Sequence, residues 1–69
     1  MANGNFFSID TDGGHSLPGT YDRLVRAKNA AAIASKKSGR LTISERKSDW
    51  SFVAMRGIAS NGEYIRIER

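Results

Sequence analysis

The sequence predicts an α+β fold of order β-α-β-β-β, with one helix packed on one face of a four-stranded mixed or antiparallel sheet. Three observations carry that expectation. An alanine-rich stretch over residues 21–38, free of internal glycine and proline, separates one apolar run from three others. The later runs are β-branched or aromatic, and the first and last of them alternate apolar with polar residues at the period of a half-buried strand. Two turn signals, at 47–49 and 60–62, join these runs at hairpin spacing.

The chain has 69 residues, 39% of them hydrophobic and 26% charged, with a single proline. That places it in the globular class as a single domain, 1–69. A chain of this size buries only about 60% of the surface its unfolded form exposes. With no cysteine in the sequence, neither a disulfide framework nor a thiolate zinc site can reinforce the core. The opening "MANGNFFSIDTDGG" lacks the basic and apolar regions of a secretory signal, and no apolar run is long enough to span a bilayer. The expected location is the cytoplasm, with no membrane partner.

The first strand is expected at about 5–10, where Phe6, Phe7 and Ile9 are followed by the Gly-, Asp- and Pro-bearing loop 11–19. Leu17 and Pro18 are placed to pin that loop to the helix start. The helix, about 21–38, takes its N-cap oxygen from Thr20 or Asp22 and ends at Gly39, suited to the left-handed position past a helix end. Leu24, Ala27, Ala31 and Ala34, with Ala30 beside them, form an inner stripe small enough to let the helix lie close on a sheet. Arg26, Asn29, Lys36 and Lys37 then point outward, with Arg23 and Lys28 at the two borders.

Strands follow at about 40–46, 50–59 and 63–68, as an antiparallel meander. Gly57 reads as a bulge or strand end. A right-handed crossover is expected to place the first strand. If Ile9, Leu41, Ile43, Ile65 and Ile67 face the helix, the other face carries Phe6, Thr42, Tyr64 and Arg66. The 50–55 run is apolar on both sides: Trp50, Phe52 and Ala54 on one, Val53 and Met55 on the other. One helix covers one sheet face, so one of these sets is left outside. An aromatic patch edged by arginine is the composition of an interface centre.

Eleven Lys and Arg against seven Asp and Glu give a net charge of +4, which favours anionic partners. From Arg23 to Ser44 there are six cations, Arg23, Arg26, Lys28, Lys36, Lys37 and Arg40, and no acid. Lys36, Lys37 and Arg40 sit where the helix dipole favours positive charge for stability alone. The dipole does not account for Arg23, Arg26 and Lys28 at the opposite end, which makes these three the better candidates for partner contact. The candidate partner-binding set is therefore Arg23, Arg26, Lys28, Lys37, Trp50, Phe52, Tyr64 and Arg66.

Other chemistry fits poorly. "DTDGGHS" holds Asp10, Asp12 and His15, but a calcium loop would need a third oxygen ligand where glycine stands and a glutamate where Tyr21 stands. Asp10, His15 and Ser16 name the residue types of a hydrolytic triad without the rigid spacing one requires. "DGGHSLPG" lacks the lysine and hydroxyl of a phosphate-binding loop. No catalytic residue, metal or cofactor is expected.

The segment "AAAIASKKSGRLTI", through Ala32, Ala34, Ser35, Lys36 and Lys37, resembles the A-K-x-x-A-S-K segment that precedes a short strand in some very small phage and bacterial β-α-β-β proteins, among them anti-CRISPR inhibitors. The resemblance covers about a third of the chain, which departs from that pattern in its longer first loop and added fourth strand. It implies a non-enzymatic phage or mobile-element protein that docks by a basic surface on a larger complex. The expected function is thus that of a small basic interaction protein, an inhibitor or adaptor whose partner is a protein or nucleoprotein complex. The alternatives are a small nucleic-acid-binding module, using the sheet face or the basic helix, and homodimerisation through the open sheet face.

Overall fold

A computed structural model describes residues 4–67. Its elements are β1 (Phe6–Thr11), α1 (Leu24–Ser38), β2 (Leu41–Arg46), β3 (Phe52–Ser60) and β4 (Glu63–Arg66). One helix lies against a four-stranded sheet of order β1-β2-β3-β4, as expected for this α+β class, and every neighbouring pair is antiparallel. The right-handed crossover expected for the first strand therefore does not arise, because that rule governs parallel neighbours and α1 returns the chain antiparallel beside β1.

The helix begins later than residue 21 for a hydrogen-bonding reason. Tyr21 is held extended: its N–H and C=O both pair with Phe7, at 3.0 and 2.8 Å. Arg23 then becomes the N-cap, in an extended conformation and without a side-chain cap bond, so neither Thr20 nor Asp22 fills that role. Upstream, the Leu17 N–H donates to Ile9 C=O at 2.7 Å. Leu17 is half-buried against the core cluster, whereas Pro18, expected to help pin the loop to the helix start, is exposed. Residues 15–21 thereby run along the outer edge of β1 and satisfy backbone groups that an edge strand would leave open.

Ile9, Leu41, Ile43 and Ala59 from the sheet meet Ala27 and Ala31 from α1, and all six are buried. Burying side chains the size of Leu41 or Ile43 contributes roughly 1.5–3 kcal/mol each. The alanines set the close approach, and Ser35 fixes it: its hydroxyl donates to Ala32 C=O and accepts from Gly62 N–H, both at 2.8 Å. The helix C-terminus is thus fastened to the β3–β4 turn.

That turn has two central residues, Asn61 and Gly62, both at positive φ, as the primed hairpin turns require. It places Tyr64 opposite Ala59 and Ile65 opposite Ile58. Tyr64 joins the core beneath α1, and Ile65, 62% exposed, lies on the other face. The expected assignment of the last strand is therefore inverted. Gly57 is the physical reason, because the Tyr64 ring occupies the space where a Cβ at residue 57 would stand. The Tyr64 hydroxyl donates to Arg56 C=O at 3.1 Å and closes this arrangement.

Along β2, the register of β3 shifts twice, at Arg56 and at Val53. The first shift bears out Gly57 as part of a bulge. Residues 50 and 51, expected at the start of this strand, belong instead to the preceding turn. Of the strand expected at 63–68, residue 68 lies outside the described residues.

Candidate interaction surface

The β2–β3 hairpin carries the most exposed aromatic side chains of the fold, and its turn chemistry explains why. Trp50 N–H donates to Lys47 C=O at 2.8 Å, and Lys47 N–H to Ser51 C=O at 3.0 Å. Between these bonds Trp50 has φ 72, a left-handed conformation that costs a side-chain-bearing residue roughly 1–2 kcal/mol. The carboxylate of Asp49 accepts from both the Ser51 N–H and its hydroxyl. Those bonds hold Asp49 below the usual carboxylate range.

The Trp50 ring stands edge-on to Phe6, with ring centroids 4.8 Å apart. Arg46 lies 6.0 Å from the Trp50 centroid and 5.9 Å from that of Phe52, within cation–π range. It also donates to Trp50 C=O at 2.9 Å. Even so, Trp50 remains 47% and Phe52 56% exposed. Val53 and Met55 are exposed as well, so both sets of this run face outward rather than one. Phe52 stands opposite Arg46 and Met55 opposite Ser44, so the register shift at Val53 brings both onto the face away from α1, where the helix cannot cover them. Phe52, Val53, Ala54 and Met55 line a shallow recess of about 430 Å³. No described strand lies beside them on the side away from β2.

Arg46 owes its position to a polar network on the sheet face away from α1. Ser8 and Ser44, opposite one another in the β1–β2 register, are both buried. The Asp10 carboxylate accepts from the hydroxyls of Ser16 at 2.8 Å, Ser44 at 3.0 Å and Ser8 at 3.2 Å, and from Arg46 at 3.3 Å. Arg46 Nε donates to Ser8 at 3.0 Å. Burial pushes Asp10 up, but hydrogen bonds from Ser16, Ser44 and Arg46, together with the Arg46 charge, outweigh it and leave Asp10 below the usual carboxylate range. Glu45 is lowered by hydrogen bonds from Asn5 and then Arg56, and by the Arg56 charge, against a smaller opposing effect of burial.

The candidate residues therefore separate into two groups. Trp50 and Phe52 come together at the hairpin tip. Lys28, Tyr64 and Arg66 line a second recess, of about 340 Å³, with Leu24 and Val25 at the start of α1. There Lys28 Nζ sits 5.7 Å from the Tyr64 ring centroid. Tyr64 and Arg66 do not belong to the face away from the helix, since Arg66 stands opposite Gly57 and shares the side of Tyr64. Arg23, the N-cap, and Lys37 on α1 are exposed, and Arg26 forms a 3.8 Å pair with Asp22, both side chains largely in solvent.

Reading the sequence alone misses Arg46 as the organiser of the tip. Its signal is present in the alternation of "FFSID" and "TISER", which places Ser8, Asp10, Ser44 and Arg46 on the side opposite Ile9 and Ile43. Asp10 and Ser16 do meet, but as parts of that network, whereas the His15 N–H bonds Thr11 Oγ1 at 3.3 Å. Among the described residues no three of the His, Asp and Glu side chains gather as metal ligands, and no helix is long and apolar enough to cross a membrane. With this geometry in view, comparison with known proteins finds no match to the chain among family models, curated proteins or solved structures.

Proposed function

We propose that this protein is a non-enzymatic interaction module of phage or mobile-element type that docks on a larger protein or nucleoprotein complex, as inhibitor or adaptor, through the β2–β3 hairpin tip. One observation carries the reading: a tryptophan is held in a left-handed turn position with its ring half in solvent. Glycine or asparagine suits that backbone better. A tryptophan there contributes exposed aromatic area, the kind of side chain that anchors protein interfaces. Beside it Phe52, Val53 and Met55 extend the apolar surface, and Arg46 supplies a fixed cation at its border. The carboxylate of Asp10 is occupied by four donors, which supports a structural role for it over a catalytic one.

The test is affinity capture from a nuclease-treated bacterial lysate, comparing the native chain with a Trp50→Gly, Phe52→Ser variant. The expected result is a discrete protein partner lost from the variant, with the variant's thermal midpoint within a few degrees of the parent. A partner retained equally by both chains refutes the reading.

A further inference from the structure

Three ion pairs among the described residues divide the cations unevenly. Arg46 and Arg56 are neutralised on the sheet by Asp10 and Glu45. On and beside the helix, the sole pair is Arg26 with Asp22, at 3.8 Å and 70% and 80% exposed, a separation and exposure worth little in water. Arg23, Lys36, Lys37 and Arg40 are exposed and make no ion pair with another described residue. Folding therefore places the acids on the sheet and loops and leaves the outward side of α1 bare.

The arrangement on that side is specific. At 3.6 residues per turn, with Ala27, Ala31 and Ser35 facing the sheet, Asn29 and Ile33 fall on the outward crest. Arg26 and Lys37 flank the crest on one shoulder, whereas the exposed Lys36 lays its methylene stem over Gly62 of the β3–β4 turn and is directed toward the sheet edge. Ile33 is 72% exposed, so the crest is uncharged and stands clear of the rest of the fold. Arg26 to Lys37 spans about 16 Å of helix axis at 1.5 Å per residue. Arg23 and Arg40 prolong the line of charge beyond both ends.

From this we propose that the outward face of α1 docks in the major groove of duplex DNA. The neutral crest would point at the base edges, and Arg26 and Lys37 would reach the phosphates of one groove wall, with Arg23 and Arg40 at the two ends of the helix adding to the attraction. A helix is about 10–12 Å across with its side chains, and the B-form major groove is about 12 Å wide. A flat acidic protein surface would meet the cations equally well but gives no reason for an uncharged, protruding Asn29–Ile33 crest. The deep, narrow major groove of A-form RNA excludes a helix. This proposal uses the side of the molecule opposite the Asp10–Arg46 network, so it stands or falls separately from hairpin-tip docking.

The test is fluorescence anisotropy with a labelled mixed-sequence DNA duplex, the matching RNA duplex and poly-L-glutamate as probes, titrated over a series of salt concentrations. If three or four of the cations reach phosphates, log K should fall against log salt with a slope of about −3 to −4. An Arg26→Glu, Lys37→Glu variant should lose about tenfold or more in DNA affinity, and Ile33→Glu should lose affinity without altering the circular dichroism spectrum. Trp50→Gly, Phe52→Ser should bind DNA as the parent does, which separates this surface from the tip. RNA or polyglutamate bound as tightly as DNA, a slope near zero, or helix variants that bind unchanged would each overturn the proposal.

Discussion

Gly57→Ala reverses what strand propensity leads one to expect. A glycine inside a strand costs roughly 0.5–1 kcal/mol relative to alanine, so the substitution should stabilise an ordinary strand. Here the new Cβ would collide with the Tyr64 ring, and the ring would have to leave. Its departure forfeits the hydroxyl bond to Arg56 C=O, worth about 0.5–1.5 kcal/mol. It also uncovers part of the core that Tyr64 shields, for which about half of an aromatic side chain's burial, roughly 1–1.5 kcal/mol, is a fair magnitude. After subtracting the propensity gain, Gly57→Ala should destabilise by about 1–2 kcal/mol. For a domain this small, each kcal/mol corresponds to about 4–8 °C in the thermal midpoint. Urea unfolding monitored by circular dichroism reads the value directly. The same substitution in a Tyr64→Ala background should become neutral or favourable, which makes the coupling between the two positions the decisive quantity. Equal effects in both backgrounds, or stabilisation in the native one, would refute the claim that Gly57 exists to admit the tyrosine.

Two further outcomes follow from the same structure. Arg23→Asp should stabilise by about 1 kcal/mol, because the N-cap has no side-chain bond and the first turn of α1 no acid, and aspartate supplies both a cap and a favourable charge. Chemical denaturation at neutral pH checks it, and a loss of stability contradicts the assignment of the helix start. Asp10 and Glu45 both lie below their ordinary values of 3.8 and 4.5, so their stabilising contribution is complete above the unfolded-state values and drains away as pH falls through the lower folded ones. The urea midpoint should therefore decline as pH drops below about 5, and Asp10→Asn should flatten part of that decline.

The sequence was a good guide wherever a local period decides the outcome. The alanine stripe names the inner face of α1 because 3.6-residue spacing and small size act together, and Ala27 and Ala31 are fully buried. Leu41 and Ile43 declare their side by alternation. What alternation cannot decide is which of two amphipathic sides of the last strand is inner, since Tyr64 and Ile65 both qualify. The Asn61–Gly62 turn and the vacancy at Gly57, seven residues upstream of Tyr64, make that choice jointly. The late helix start is likewise a tertiary effect: Tyr21 belongs to a helix-compatible stretch, but Phe7 offers its backbone two hydrogen bonds. Of the candidate site, Trp50 and Phe52 were legible as unburied rings, and Arg46 was not, because its partners come from Ser8 and Asp10 on a strand more than thirty positions away.

The run of residues 15–21 along β1 has a further consequence. It seals one margin of the sheet, so any extension by main-chain pairing must proceed from the β3–β4 side alone. A molecule with a single sticky border can accept one guest strand or mate with one copy of itself, and there the assembly stops. A fibre built by main-chain pairing would need β1 to be open as well, and among the described residues its outer side is already paired with residues 15–21.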